Sequence, residues 1–150
     1  MKNIFSVSDP IKLNRIIFIL SVFGVILAIY VLQSFLRHTS IVCLNSGCET
    51  VRKSSFSYIF GIPVPAFGLV GYTMLAILTF LKTTSKDVRI SQWMVGIATF
   101  GIVFVSWFSF TEIFIIKAIC TWCAVSAVNM FVIFYFALNC YKIEKYATHR

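Results

Sequence analysis

Two pairs of cysteines carry the chemistry this chain can do. Cys43 and Cys48 lie in a polar stretch with Asn45, Ser46 and Gly47 between them, and Cys120 and Cys123 form a Cys-Thr-Trp-Cys motif. Thiolates attack disulfide sulfurs, so two pairs held within reach of each other can pass electrons by exchange. CxxC is the spacing at which one thiol tunes the pKa of the other. Each pair also has a blander reading. The first is a staple across a loop, common in oxidising compartments. The second is an inert bridge, or half of a Cys₄ zinc site. The spacing of the loop pair resembles no finger or ribbon, so no metal is expected. Cys140 makes the count odd and reads as an inert reduced thiol. No Gly-rich phosphate loop, paired carboxylates or His-rich cluster competes with the cysteines.

What positions them follows from composition. Of the 150 residues 59% are hydrophobic, 12% are charged and sixteen are Phe, against roughly 45–50% apolar and 25% charged in a soluble domain. The chain reads as a single integral membrane domain over residues 1–150. A span needs about 20 apolar residues, and four stretches qualify: about 16–36, 62–81, 90–110 and 118–141. Lipid satisfies no backbone group, so each span is expected to be helical. The fold class is therefore an all-α, four-helix membrane bundle with the lipid bilayer as its solvent. The first run is followed by no small-residue cleavage site, so it is expected to remain a span.

The formal charge of +8 is explained by basic residues flanking spans, and no nucleic acid is expected. Lys2, Lys12, Arg15, Lys82, Lys86, Arg89, Lys142, Lys145 and Arg150 fall on one side, and Arg37, Arg52, Lys53 and Lys117 on the other. The richer side is expected to be cytoplasmic. Both termini are then inside the cell's inner or plasma membrane, and both cysteine pairs face the extracytoplasmic side, where disulfides persist.

The outer loop, about 37–60, is long enough to have a role of its own. Ser46 and Glu49 have capping-box spacing, which predicts a short surface helix from near Gly47, with Val51, Phe56, Ile59 and Phe60 facing the bundle. Cys48 then sits in the first turn, where the helix dipole and Arg52 four residues on favour a thiolate. Cys43 falls in flexible chain, suited to meeting a soluble protein. In the second pair both sulfurs share one helix face at the start of span four. Glu112, at the outer end of span three, is expected to be solvated, with Lys117 as a partner. Gly61, Gly68 and Gly71 are expected to let helices approach.

Together these residues resemble the vitamin K epoxide reductase family, in particular its bacterial disulfide-forming members. The resemblance covers nearly the whole chain. It rests on the loop pair with Ser54 six residues after Cys48, on Gly61-x-Pro63 leading to Phe67-Gly68-x-x-x-Tyr72, and on Cys120-x-x-Cys123-x-x-Ser126. It implies a four-helix bundle around a quinone, ubiquinone or menaquinone. It also implies that Cys43 and Cys48 take electrons from a thioredoxin-fold (DsbA-like) partner, that Cys48 exchanges with Cys120, and that Cys123 lies beside the quinone. Ser54 matches a family serine near that transfer. A quinone needs an apolar, aromatic-lined cavity, for which Phe67, Phe104, Trp107, Phe108 and Trp122 are the candidates. Vertebrate members carry an asparagine and a tyrosine where this chain has Val64 and Ala127, which favours quinone-coupled disulfide formation over epoxide reduction. The chain carries no fused thioredoxin domain up to Arg150, so the partner is expected to be separate. The alternatives are a vitamin K epoxide reductase proper and a non-enzymatic membrane subunit with structural disulfides.

Overall fold

The computed structural model describes residues 9–39, 42–43, 46–85 and 87–148. Lys2, Asn45, Lys86, His149 and Arg150 lie outside them. Among the described residues four helices are long and apolar enough to cross a membrane: α1 (Pro10–Arg37), α3 (Val64–Thr84), α4 (Val88–Phe110), which runs on through a π-helical turn (Thr111–Ile116), and α5 (Thr121–Thr148). The expected membrane bundle is present; every helix, α4 through its π-helical turn, ends beyond its predicted stretch, while α3 and α5 begin two and three residues inside theirs. α1 starts six residues before the predicted Ile16. Pro10 stands at the helix start, where it has no N–H to lose. Asn14 ties the added turns to α3, donating to the Thr79 carbonyl at 2.9 Å and to the Thr83 hydroxyl at 3.2 Å.

The core joins all four helices through Ile17, Tyr72, Leu75, Met94, Ala98, Met130, Ile133 and Ala137. Tyr72 donates its buried hydroxyl to the Ser126 carbonyl at 2.9 Å, linking two residues that carry the family resemblance. Close approach of α1 to α3 depends on Gly24, where an added Cβ would strike the Tyr72 ring. Gly68 and Gly71 do not have the expected role, since both have open space around them, and Gly61 lies in a turn outside the helices. Many large apolar side chains, among them Ile19, Ile26, Phe80, Phe100, Val103 and Val128, are exposed on the bundle surface. That is the surface a hydrocarbon solvent requires.

Between α1 and α3 lies α2 (Gly47–Lys53), the predicted surface helix. A 3₁₀ turn (Ser55–Ser57) and a small hairpin, β1 (Tyr58–Ile59) with β2 (Ile62–Pro63), follow it. The hairpin turn is Phe60-Gly61, both with positive φ (52° and 80°), the pattern of a two-residue type I′ turn. Phe60 therefore points away from the bundle at 99% exposure, and Phe56 is also exposed, so only Val51 and Ile59 of the four expected residues pack inward.

At the opposite end, Lys82 is not a solvated flanking charge. It is buried, bonded to Ser91 Oγ, to the Glu144 carboxylate at 2.8 Å and to Cys140 Sγ at 3.3 Å. Cys140 is thus one member of a polar cluster joining α3, α4 and α5.

Candidate functional site

α2 lies against the segment between the π-helical turn and α5, and this brings the two cysteine pairs together. Cys43 and Cys48 form a disulfide with Cα atoms 6.4 Å apart. Cys120 and Cys123 are free thiols. Cys48 and Cys120 are each 3% exposed, and their sulfurs lie 3.4 Å apart, which is van der Waals contact between atoms that can exchange. Val51, Val64 and Phe108 close around them, with Cys43 and Cys123 at the margin of the same cluster.

Two contacts hold this arrangement. Gly47 abuts the Ile119 carbonyl so closely that a Cβ there would overlap its oxygen. Trp122 Nε1 donates to the Val42 carbonyl at 2.9 Å, and its ring meets Tyr30 edge-on at 5.2 Å. The residue before Cys43 is therefore pinned to α5.

Local geometry differs from expectation in three places. Ser46 stands at the start of α2 but makes no side-chain cap. Glu49 turns instead to Arg52 at 2.6 Å and Lys53 at 3.2 Å, and these cations, Arg52 foremost, hold its carboxyl below the usual range. Arg52 is thus engaged by Glu49 rather than aimed at Cys48, because the i, i+3 carboxylate outcompetes a sulfur already bonded to Cys43. The Cys-Thr-Trp-Cys motif straddles the start of α5 instead of lying on it. Cys120 precedes the helix, its carbonyl accepting from Ala124 N–H at 3.0 Å, and Cys123 is in the first turn. The Cys120 thiol is pulled down to about 7 by its hydrogen bond with the Cys123 side chain, helped by the N–H groups of Cys123 and Trp122, with burial opposing.

Ser54 ends α2, and its hydroxyl accepts from Phe56 N–H at 3.3 Å. That bond caps the 3₁₀ turn, and Ser54 does not line the cavity described next. The residue that sequence reasoning missed is Glu112. It is 3% exposed, not solvated, and its carboxylate faces the Cys123 thiol and the Cys120 backbone, with no ion pair to Lys117 among the described residues. An acid at the end of an aromatic-rich apolar run reads as interfacial. Only the π-helical turn, which has no composition signature, places it inside.

An apolar cavity of about 670 Å³ extends from Cys48, Cys120 and Cys123 along the seam of α3 and α4 as far as Trp93. Phe67, Phe104, Phe108 and Trp122 line it, joined by Phe100 and Met130. Trp107 does not line it. It is half-exposed and packs against Phe104 and Phe108. Val64 is an apolar part of the wall beside the cysteines.

Residues 15–138 match the sequence model of the Vitamin K epoxide reductase family. The chain belongs to this family. Its members are membrane oxidoreductases that work through cysteines and use quinones. The match takes in both cysteine pairs, Tyr72 with its Ser126 partner, and the whole cavity. Among curated proteins no sequence matches the chain.

Proposed function

We propose that this vitamin K epoxide reductase family member is a thiol oxidase that reoxidises a separate, extracytoplasmic thioredoxin-fold protein and delivers the electrons to a membrane quinone. The contact of Cys48 Sγ with Cys120 Sγ at 3.4 Å carries the reading, because it lets sulfur from the aqueous loop touch sulfur at the mouth of the bundle. The excess of basic residues at the other end of the spans supports an orientation with the cysteine end outside and both termini in the cytoplasm.

The relay runs in balanced steps. A partner thiolate attacks Cys43, the more exposed sulfur of the loop pair, and Cys48 leaves as a thiolate. The partner's second thiol attacks the mixed disulfide, so the partner is oxidised and both loop cysteines are reduced. Cys48 then attacks Cys120 of an oxidised core pair, and Cys123 leaves. Cys43 closes on Cys48 and frees Cys120. The loop disulfide is restored and two electrons now rest on the core dithiol, the arrangement described above. Closing Cys120–Cys123 again passes them on.

The cavity supports a quinone as the acceptor. Its volume falls within the roughly 300–1,000 Å³ of small-molecule sites, its wall is almost wholly apolar and it reaches Cys123. Phe67, Phe104, Phe108 and Trp122 would hold the ring, and the groove toward Trp93 suits an isoprenoid tail. A quinone bound there supplies a two-electron, two-proton acceptor. A donor of about −120 mV needs an acceptor of higher potential, and each 30 mV of drop is worth about 1.4 kcal/mol for two electrons. Val64 in place of a polar side chain leaves less to hold an epoxide.

The test is rescue of a bacterial strain lacking its own disulfide generator, supplied with the matching partner. Serine at Cys43, Cys48, Cys120 or Cys123 is expected to abolish rescue, with Cys48–Cys120 mixed disulfide trapped in the Cys43→Ser, Cys123→Ser double variant. Rescue by all four single variants at the wild-type level would end the proposal.

A further inference from the structure

Glu112 is the buried carboxylate at the cysteine end, and the relay as written above gives it nothing to do. Its carboxylate faces the Cys123 thiol and the Cys120 backbone, and Oε1 has no hydrogen-bond partner among the described residues. A buried acceptor left unpaired costs roughly 1–3 kcal/mol, so such an atom calls for a reason to exist. The local backbone is also irregular. The π-helical turn Thr111–Ile116 buries Thr111 and Glu112 side by side where the lipid-exposed run of α4 ends. Turns of this kind cost regular hydrogen bonding and gather at functional sites.

We infer that Glu112 is the proton acceptor for Cys123, a catalytic residue that takes the Cys123 Sγ proton as the core disulfide closes and hands it toward the cavity. This rests on the relay reading above. Closing Cys120–Cys123 from two thiols breaks two S–H bonds, forms one S–S bond and releases two electrons and two protons. The electrons go to the quinone of the proposed reaction. Cys120, which ionises near neutral pH, loses its proton to water at the cysteine end. Cys123 lies in the first turn of α5 on the cavity wall, and the Glu112 carboxylate that faces its sulfur is the base beside it. Glu112 is protonated in that step, and it returns to carboxylate when its proton passes to the reduced acceptor, which draws its second proton from water.

The charged and titratable groups around Glu112 leave this role to it. From the segment opening α5 come Cys120 and Cys123. From α2, packed against the same turn, come Cys48 in its disulfide and Arg52 and Lys53, both paired with Glu49. Lys117, which ends the turn, is exposed.

The full-length protein in lipid nanodiscs, reduced with dithiothreitol and reoxidised with a short-chain benzoquinone, supplies the test. Infrared difference spectra between core-reduced and core-oxidised protein should show a shift of carboxylate stretching bands, as the carboxylate loses the thiol it faces, that Glu112→Gln removes and Glu49→Gln keeps. In Glu112→Gln the rate of core oxidation should fall about 10²–10⁴-fold, the usual worth of a positioned proton acceptor. It should also climb with pH throughout, since solvent must take the proton. Glu112→Asp should restore the wild-type shape of the pH profile at a lower rate. If Glu112→Gln keeps the wild-type rate and pH profile while retaining the loop disulfide, the inference is overturned. If that variant does not fold, absence of the carboxylate-band shift in the wild type overturns it by itself. Failure of the wild-type core pair to be oxidised by the benzoquinone at all would instead remove the relay reading, and this inference with it.

Discussion

Replacing Gly47 with alanine should separate the two cysteine pairs without touching a sulfur. Gly47 precedes Cys48 at the first turn of α2, and a Cβ there would overlap the Ile119 carbonyl oxygen. That oxygen belongs to the backbone and cannot swing aside. Alanine is at least as good a helix former as glycine, so α2 itself should persist and move as a unit. A displacement on the order of 1 Å widens the present 3.4 Å sulfur gap, and misplacement of that size costs on the order of 10²-fold in a positioned reaction. The assay is the effective concentration of Cys48 for Cys120 in a Cys43→Ser, Cys123→Ser background, read in a glutathione buffer. Gly47→Ala should lower it about 10²-fold, equivalent to about 2.8 kcal/mol. Gly71→Ala, with open space at that position, should leave it unchanged. An effective concentration within about twofold of the parent, under roughly 0.5 kcal/mol, would show that the Gly47–Ile119 contact does not set the sulfur gap.

Two further outcomes follow from the same geometry. Cys120 titrates near 7, below an ordinary thiol, chiefly through Cys123, so its thiolate fraction should grow about tenfold from pH 6 to pH 8 and shrink again on acidification. Ultraviolet thiolate absorbance of the reduced protein should follow that curve, and Cys123→Ala should move its midpoint back toward the ordinary thiol value. At the other end, Lys82→Met leaves the Glu144 carboxylate and Ser91 without their cation. Stability to denaturant in mixed micelles should fall by about 3 kcal/mol, the low end for breaking a buried pair because Glu144 is partly exposed, and Lys82→Met with Glu144→Met should recover much of the loss.

The four spans and the cysteine pairs were legible because hydropathy over some twenty residues and cysteine spacing are properties of the chain alone. What the sequence hid depended on contacts between segments. Glu112 looked interfacial because its neighbours Phe110 and Ile113 are exposed apolar residues; its burial comes from a change of helical winding. Arg52 had two possible partners at helical spacing, and Glu49 prevailed once Cys48 was bonded to Cys43. Phe60 looked like core, but it sits at a turn position that needs positive φ, so its side chain follows the turn and not the hydrophobic pattern. Trp122 was expected for its ring alone, yet its indole N–H also anchors Val42. Trp107 shared the composition of the cavity wall but lies on the part of α4 that turns away from it.

A relay between an aqueous partner and a lipid-soluble acceptor makes opposing demands on its loop. One sulfur must be reachable from outside, and the other must hold contact with the core pair. A seven-residue helix cannot stand alone in water, so α2 depends on what grips it. The grips are Gly47 on Ile119, Val51 in the cysteine cluster, and the Cys43–Cys48 bond with its neighbour Val42 held by Trp122. The first two act on the Cys48 side and do not involve a disulfide. The last acts on the Cys43 side and is weakened when a partner opens the loop bond. Opening should therefore loosen Cys43 first while Cys48 stays against Cys120. The flexibility expected of the loop then belongs to its reduced state and to one of its two sulfurs, which is how a single short segment can meet both demands.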